Sequence, residues 1–314
     1  GQHPFRHPRR QFSAEPNILR QLAFAQRLDA PHQHLCKRQC IDPPDAVALQ
    51  QLARELGATL ARSDLMVITG GGGGIMAAAH EGAGLEHSLG FNITLPFEQH
   101  ANPTIDGTEN LLSFHFFFTR KLFFVKEADA LVLCPGGFGT LDEALEVLTL
   151  IQTGKTPLVP VVLLDAPGGK FWQVALDFIH QQLVENRYIL PTDMKLVKLV
   201  YCVDEAVEHI NQFYSNFHSS RWLKHQFLIR MNHTLSDPAL EHMQVAFADL
   251  CLSDHFHQHV YGGEEHDEAQ FSHLARLAFN FNARDHGRLR ELVDYINLPE
   301  NWAQPQPQVQ QHTR

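Results

Sequence analysis

From Ala46 to Tyr214 short apolar runs alternate with segments whose apolar residues recur at helical spacing, and this alternation constrains the fold more than any other feature. The runs "DLMVIT", "LGFNITLP", "DALVLC", "LVPVVLLD" and "KLVYCV" have the length and composition of buried strands. Between them lie amphipathic segments such as "FFFTRKLFFVKEA" and "LDEALEVLTLI". Neighbouring parallel strands need crossover connections, and helices supply them. The pattern therefore predicts an α/β fold, a Rossmann-like doubly wound parallel sheet with helices on both faces.

The flanking regions read differently. Residues 1–45 are rich in Pro, His and Arg and are expected to form an irregular extension, with helical periodicity only in "NILRQLAFAQRL". The main domain is expected over 46–214, followed by the linker-like "SNFHSSRW". Over 215–297 two strand-helix units predict a small α+β C-terminal domain, with Asp285 as N-cap of its last helix. The Pro- and Gln-rich end, 298–314, is expected to be disordered.

Charge and composition narrow the partners. With 25 Lys+Arg against 35 Asp+Glu the formal charge is -10, which argues against nucleic acid recognised through its backbone. No apolar run approaches the roughly 18 residues of a membrane helix, and "GQHPFRHPRRQF" lacks the apolar centre of a secretory signal. A cytoplasmic protein without membrane contact is expected. Five cysteines do not make a disulfide framework in a chain of this length, and Cys134 and Cys202, at the ends of apolar runs, read as buried thiols.

Two glycine-rich loops follow strands and open helices, the position where doubly wound sheets hold ligands. In "TGGGGGIM", Gly71, Gly72, Gly73 and Gly74 offer unhindered amides to an anion at the positive end of a helix dipole. Neither a dinucleotide fingerprint nor a Walker loop is present. The second loop, "LCPGGFGTLDE", brings Gly136, Gly137 and Gly139 ahead of Thr140. Two readings of Glu143 stand: a functional carboxylate, or the acidic end of a capping box with Thr140. Arg120 and Lys121, within a phenylalanine-rich helix, are equally open between ligand binding and a structural pairing. "HQHLCKRQC" carries His32, His34, Cys36 and Cys40, but its spacing departs from zinc-finger patterns. His255, His257 and His259 alternate within a segment read as a solvated loop. No metal is expected.

These motifs together resemble the LONELY GUY (LOG) family of nucleotide phosphoribohydrolases, long described as lysine-decarboxylase-like. Its signature PGGxGTxxE appears as Pro135 to Glu143, and the glycine run ending Gly74-Ile75-Met76, "FNITLPFEQHANP", "FHFFFTRKLFFVK" and "LTLIQTGK" are further marks. The similarity runs from about Leu52 to Tyr214 and continues through "LARLAFNFNARDHGRLRELVDYIN", which looks like the extension of longer bacterial members. The resemblance implies hydrolysis of the N-glycosidic bond of a nucleoside 5'-monophosphate, without a cofactor. It assigns Arg120 and Glu143 to catalysis. It assigns substrate contacts to Lys121, Met76, Pro135, Gly136, Gly137, Gly139, Thr140 and the first glycine run, and it implies a homodimer. Two positions depart from the family's pattern: no first strand with its Gly-Ser motif is apparent before "VALQQLARELG", and Ala77 stands where a glutamate is common. A non-catalytic nucleotide-binding or carrier module is the alternative. Decarboxylation would need a Schiff-base lysine for pyridoxal phosphate, and none is marked.

Overall fold

Apolar runs too short for helices become the strands of one large sheet. A computed structural model describes residues 21–25 (backbone alone), 46–93, 100–224, 226–253, 255–262, 265 and 268–304. Strands β1 (Gln21–Ala25), β2 (Met66–Thr69), β3 (Ser88–Ile93), β4 (Leu111–Phe114), β5 (Ala130–Leu133), β6 (Val161–Leu164) and β7 (Val197–Val200) pair in the order β4-β3-β2-β1-β5-β6-β7. Every pairing is parallel.

Alternation along the strands sorts the helices into two layers. In β5, Ala130 and Val132 join the core formed with α1 (Ala46–Arg62), α2 (Ile75–Ala83) and α6 (Val203–Phe213). Leu131 and Leu133 point the other way, to the core of α3 (Phe117–Glu127), α4 (Phe138–Gln152) and α5 (Phe171–Ile179). β6 divides in the same manner, Val162 and Leu164 against Val161 and Leu163. Burial on both faces explains why these strands read as unbroken apolar runs.

The first strand corrects the reading of the N-terminal region. Gln21–Ala25, inside the segment read as helical, is the central strand, paired with β2 on one side and β5 on the other. The expected irregular extension therefore supplies the middle of the sheet. β4 also escaped the sequence reading, because "LLSF" lies at the sheet edge and is largely exposed.

The C-terminal unit is an antiparallel sheet in the order β10 (His257–His259), β11 (Ala275–Phe279), β9 (Phe227–Met231), β8 (Phe217–Trp222), with α7 (Asp237–Ala246) and α8 (His286–Ile296). Asp285 caps α8 as expected, accepting from the Arg288 amide at 2.7 Å. β9 (Phe227–Met231) and β11 (Ala275–Phe279) lie where they were expected. β8 (Phe217–Trp222) replaces the expected linker, and the edge strand β10 (His257–His259) lies in the segment read as a loop. One apolar cluster runs without a break from β5 and α4 into β9, β11 and α8. The Asn297 side chain seals the join: it accepts from the amides of Asn216 (3.0 Å) and Phe217 (2.7 Å) and donates to the Phe213 carbonyl (2.6 Å). Within the expected tail, residues 298–304 are ordered, since the Trp302 indole donates to the Ile296 carbonyl and stacks on His233. Residues 305–314 lie outside the described residues. Cys134 is buried as expected, but Cys202 is exposed, because it stands past the end of β7 as the N-cap of α6. No described helix is long and apolar enough to cross a membrane.

Candidate active site

The chain builds outward from β1 to β4, then returns to place β5 on the other side of β1. That reversal is the topological switch where ligands of such sheets bind, outside the carboxyl ends of the strands. The two glycine loops follow β2 and β5, the two neighbours of β1, and so flank the switch.

The first loop is held from within. Gly71, at φ 76°, adopts a left-handed conformation that favours glycine, and its amide donates to Thr69 Oγ1 at 2.9 Å. The Gly72 amide meets the Met76 sulfur at 3.4 Å. Asn102, 3% exposed, clamps the loop by donating its side-chain amide to the carbonyls of Gly71 (3.1 Å) and Gly72 (3.2 Å). The same Nδ2 meets His80 Nδ1 at 3.1 Å, and burial pushes the His80 pKa down to about 4, so the neutral imidazole accepts that hydrogen bond. Sequence reading missed both residues as individuals; the only signal for Asn102 was its place in the "FNITLPFEQHANP" segment. Gly71, Gly72 and Met76 thus shape the loop, whereas Gly73 and Gly74 are exposed with amides unpartnered among the described residues.

The second loop opens α4 without a side-chain cap. Gly137 is the N-cap, and its carbonyl takes the amides of Thr140 (3.1 Å) and Leu141 (3.3 Å), so the helix begins ahead of Thr140. The capping box is therefore absent. Thr140 lies inside the first turn, its hydroxyl buried and unpartnered, and packs where a Cβ on Gly136 would come within 2.2 Å of Oγ1. Amides of Gly136, Gly137, Phe138 and Gly139 have no partner among the described residues. Pro135, Gly136 and Gly139 are half-buried and Gly137 is exposed. An uncapped helix start leaves these amide donors open at the positive end of the helix dipole.

Arg120 and Glu143 lie near enough for each charge to act on the other without direct contact. Arg120, 8% exposed on α3, donates Nε to the Phe91 carbonyl of β3 at 2.8 Å and lies over the Phe124 ring at 5.2 Å. Its two Nη groups make no hydrogen bond among the described residues, and a Cβ on Gly70 would fall 2.5 Å from Nη2. Burial lowers the Arg120 pKa, against the opposing pull of the Glu143 charge. Glu143, half-buried in the second turn of α4, has no hydrogen bond or ion pair among the described residues. Burial raises its pKa, only partly offset by Lys121 and Arg120. Lys121 is held elsewhere, in ion pairs with Asp142 at 2.5 Å and Glu146 at 2.8 Å. Its charge bears on the site but its ammonium is already shared.

His255, His257 and His259 are exposed, the last two on β10, and His32, His34, Cys36 and Cys40 lie outside the described residues.

Fold and crevice define a doubly wound α/β protein with two glycine loops at the switch of its sheet. The chain belongs to the LOG family, whose sequence model, described as "Possible lysine decarboxylase", matches residues 67–210. It is 30% identical over 170 residues to the cytokinin riboside 5'-monophosphate phosphoribohydrolase LOG3 of Arabidopsis thaliana, covering 52% of this chain and 75% of that protein. Against LOG1 of the same plant, also named a cytokinin riboside 5'-monophosphate phosphoribohydrolase, identity is 30% over 171 residues, covering 53% and 77%. Among solved structures, the molybdenum cofactor carrier protein of Chlamydomonas reinhardtii is 20% identical, covering 62% of this chain and 96% of that one at a TM-score of 0.39. That likeness is too distant to bear on activity.

Proposed function

We propose that this protein hydrolyses the N-glycosidic bond of nucleoside 5'-monophosphates, releasing a free base and ribose 5-phosphate. One observation carries the reading: Glu143 is half-buried with no cap or ion pair among the described residues, while it and Arg120 act on each other's charge beside an uncapped helix start. A cap would have explained the glutamate fully, and the cap is absent. The names of the family relatives point to the same substrate class, cytokinin riboside 5'-monophosphates among them.

The chemistry follows from the charges. The 5'-phosphate sits on the free amides at the start of α4 and on those of Gly73 and Gly74. As the bond between C1' and the base nitrogen breaks, positive charge grows on the ribose, and the Glu143 carboxylate stabilises it. Water adds its oxygen to C1', one of its protons passes through Glu143, and the departing base gains a proton. The free Nη groups of Arg120 hold the phosphate or the base, acting through planar, always charged donors.

The working unit is a homodimer in this reading. Around Arg120, α3 exposes Phe117, Phe118 (69%), Leu122 (60%) and Phe123, and Phe138 beside the second loop is 92% exposed. Large apolar side chains left exposed in this number mark an interface, and a second copy of the chain would bury them next to the site. The test incubates the purified protein with a panel of nucleoside monophosphates and follows free base and ribose 5-phosphate by chromatography. Release that disappears in Glu143→Gln is the expected result. Nucleotide binding without release would make the protein a binding module.

A further inference from the structure

Two buried polar side chains beside the first glycine loop take no part in the chemistry above: His80 on α2, fully buried, and Asn102 between β3 and β4. Polar groups in so dry a place are costly unless each finds a partner. The Asn102 amide is committed at both ends. Oδ1 accepts from the Thr104 amide at 3.2 Å, and Nδ2 faces three acceptors, the carbonyls of Gly71 and Gly72 and His80 Nδ1. His80 accepts because burial keeps its imidazole neutral. The amide therefore has one orientation: turned over, it would set its oxygen against three acceptors.

The two carbonyls are not held alike. That of Gly71 also takes the Asn102 backbone amide at 2.8 Å, whereas that of Gly72 has no second partner among the described residues. A trans peptide points its C=O and the next residue's N–H to opposite sides. Drawing the Gly72 carbonyl in to Asn102 thus turns the Gly73 amide out, at an exposed residue where even an added Cβ would meet no atom within 4 Å. One buried side chain fixes the direction of an open donor on the loop.

We propose that Asn102, locked by His80, is the positioning residue that aims the Gly73 amide at the substrate's 5'-phosphate, so that the pair sets affinity for the phosphate rather than the rate of bond cleavage. The assignment takes its substrate from the nucleotide reading, but inorganic phosphate probes the loop without it.

Calorimetry with inorganic phosphate and steady-state kinetics with a nucleoside monophosphate, both on the full chain, test it together. Asn102→Ala should weaken phosphate binding and raise KM about tenfold, the scale of one charge-assisted hydrogen bond, with kcat within threefold of the parent. His80→Leu removes the acceptor and should act in the same direction. His80→Asn, whose Oδ1 falls near the place of Nδ1, should recover most of that loss. A residue that only held the fold would lower kcat through the folded fraction and leave KM alone. Unchanged phosphate affinity and KM, a fall in kcat alone, or His80→Asn as weak as His80→Leu overturns the proposal, as does a wild-type protein that binds no phosphate. Phosphate binding that responds as expected in a protein that releases no base would sink the nucleotide reading and leave this assignment standing. Should Asn102→Ala fail to fold, the two His80 variants decide alone.

Discussion

Replacing Gly70 by alanine should separate activity from stability. The added Cβ would lie 2.5 Å from Arg120 Nη2 and 3.0 Å from the Met76 sulfur, whereas ordinary contact begins near 3.4 Å. The guanidinium must therefore retreat by the difference of 3.4 and 2.5, 0.9 Å. Both atoms met are the ends of flexible side chains, so the fold yields at a cost near the low end for overpacking, about 1 kcal/mol. The reaction yields less readily. Arg120 is tethered through Nε to the Phe91 carbonyl at 2.8 Å, so its free Nη groups cannot swing back to their place without breaking that bond. A displacement of about 1 Å in a positioning group costs on the order of 100-fold, equivalent to about 2.7 kcal/mol of barrier. The assay is kcat/KM for release of free base from a nucleoside monophosphate, paired with a thermal melt. The expected outcome is a fall of about 100-fold with a shift in Tm of roughly 2 °C. Turnover within threefold of the parent would refute the placement of Arg120 at the reacting centre. A collapse in Tm would instead make Gly70 a packing residue only.

Other perturbations read other parts of the argument. Gly57→Ala would set a Cβ 2.1 Å from the Ala79 carbonyl oxygen where α1 crosses α2; backbone cannot step aside, so a loss of about 3 kcal/mol or more in chemical denaturation is expected. Glu143→Gln should stabilise the protein at pH 8, because the raised carboxyl pKa means the folded state prefers the protonated form. The wild-type contribution is complete below 4.5 and lost as pH rises through the folded value, so the advantage of Gln should vanish in melts well below pH 4.5. Asn102→Ala removes the clamp on Gly71 and Gly72 and the bond to His80, and should cost about 3 kcal/mol while weakening nucleotide binding by calorimetry. Phe118→Asp, on the exposed face of α3, should convert a dimer to a monomer in light scattering; an unchanged mass would refute the interface.

What sequence made legible follows what periodicity can encode. β5 and β6 announce themselves because both faces are buried, leaving "ALVL" and "VVLL" without a polar residue. β1 did not: "QLAFA" lies in a stretch that fits a helical period as well as a strand, and only its pairing with β2 and β5 resolves the ambiguity. β4 and β8 failed for the opposite reason. As edge strands they are half-exposed and carry serines, so their composition is that of loops. The glycine loops and the pair Arg120 and Glu143 were visible as motifs, but their roles inside the loops were not. Sequence suggested that all the glycine amides of the first loop face a ligand; the structure turns those of Gly71 and Gly72 inward and leaves Gly73 and Gly74 open. The carboxylate shows the same limit most clearly. Whether Glu143 caps α4 or serves the crevice depends on where that helix begins, a shift of three residues that local sequence cannot fix. Gly137 starts the helix ahead of Thr140, frees the carboxylate from its backbone partner, and leaves it half-buried within reach of the Arg120 charge.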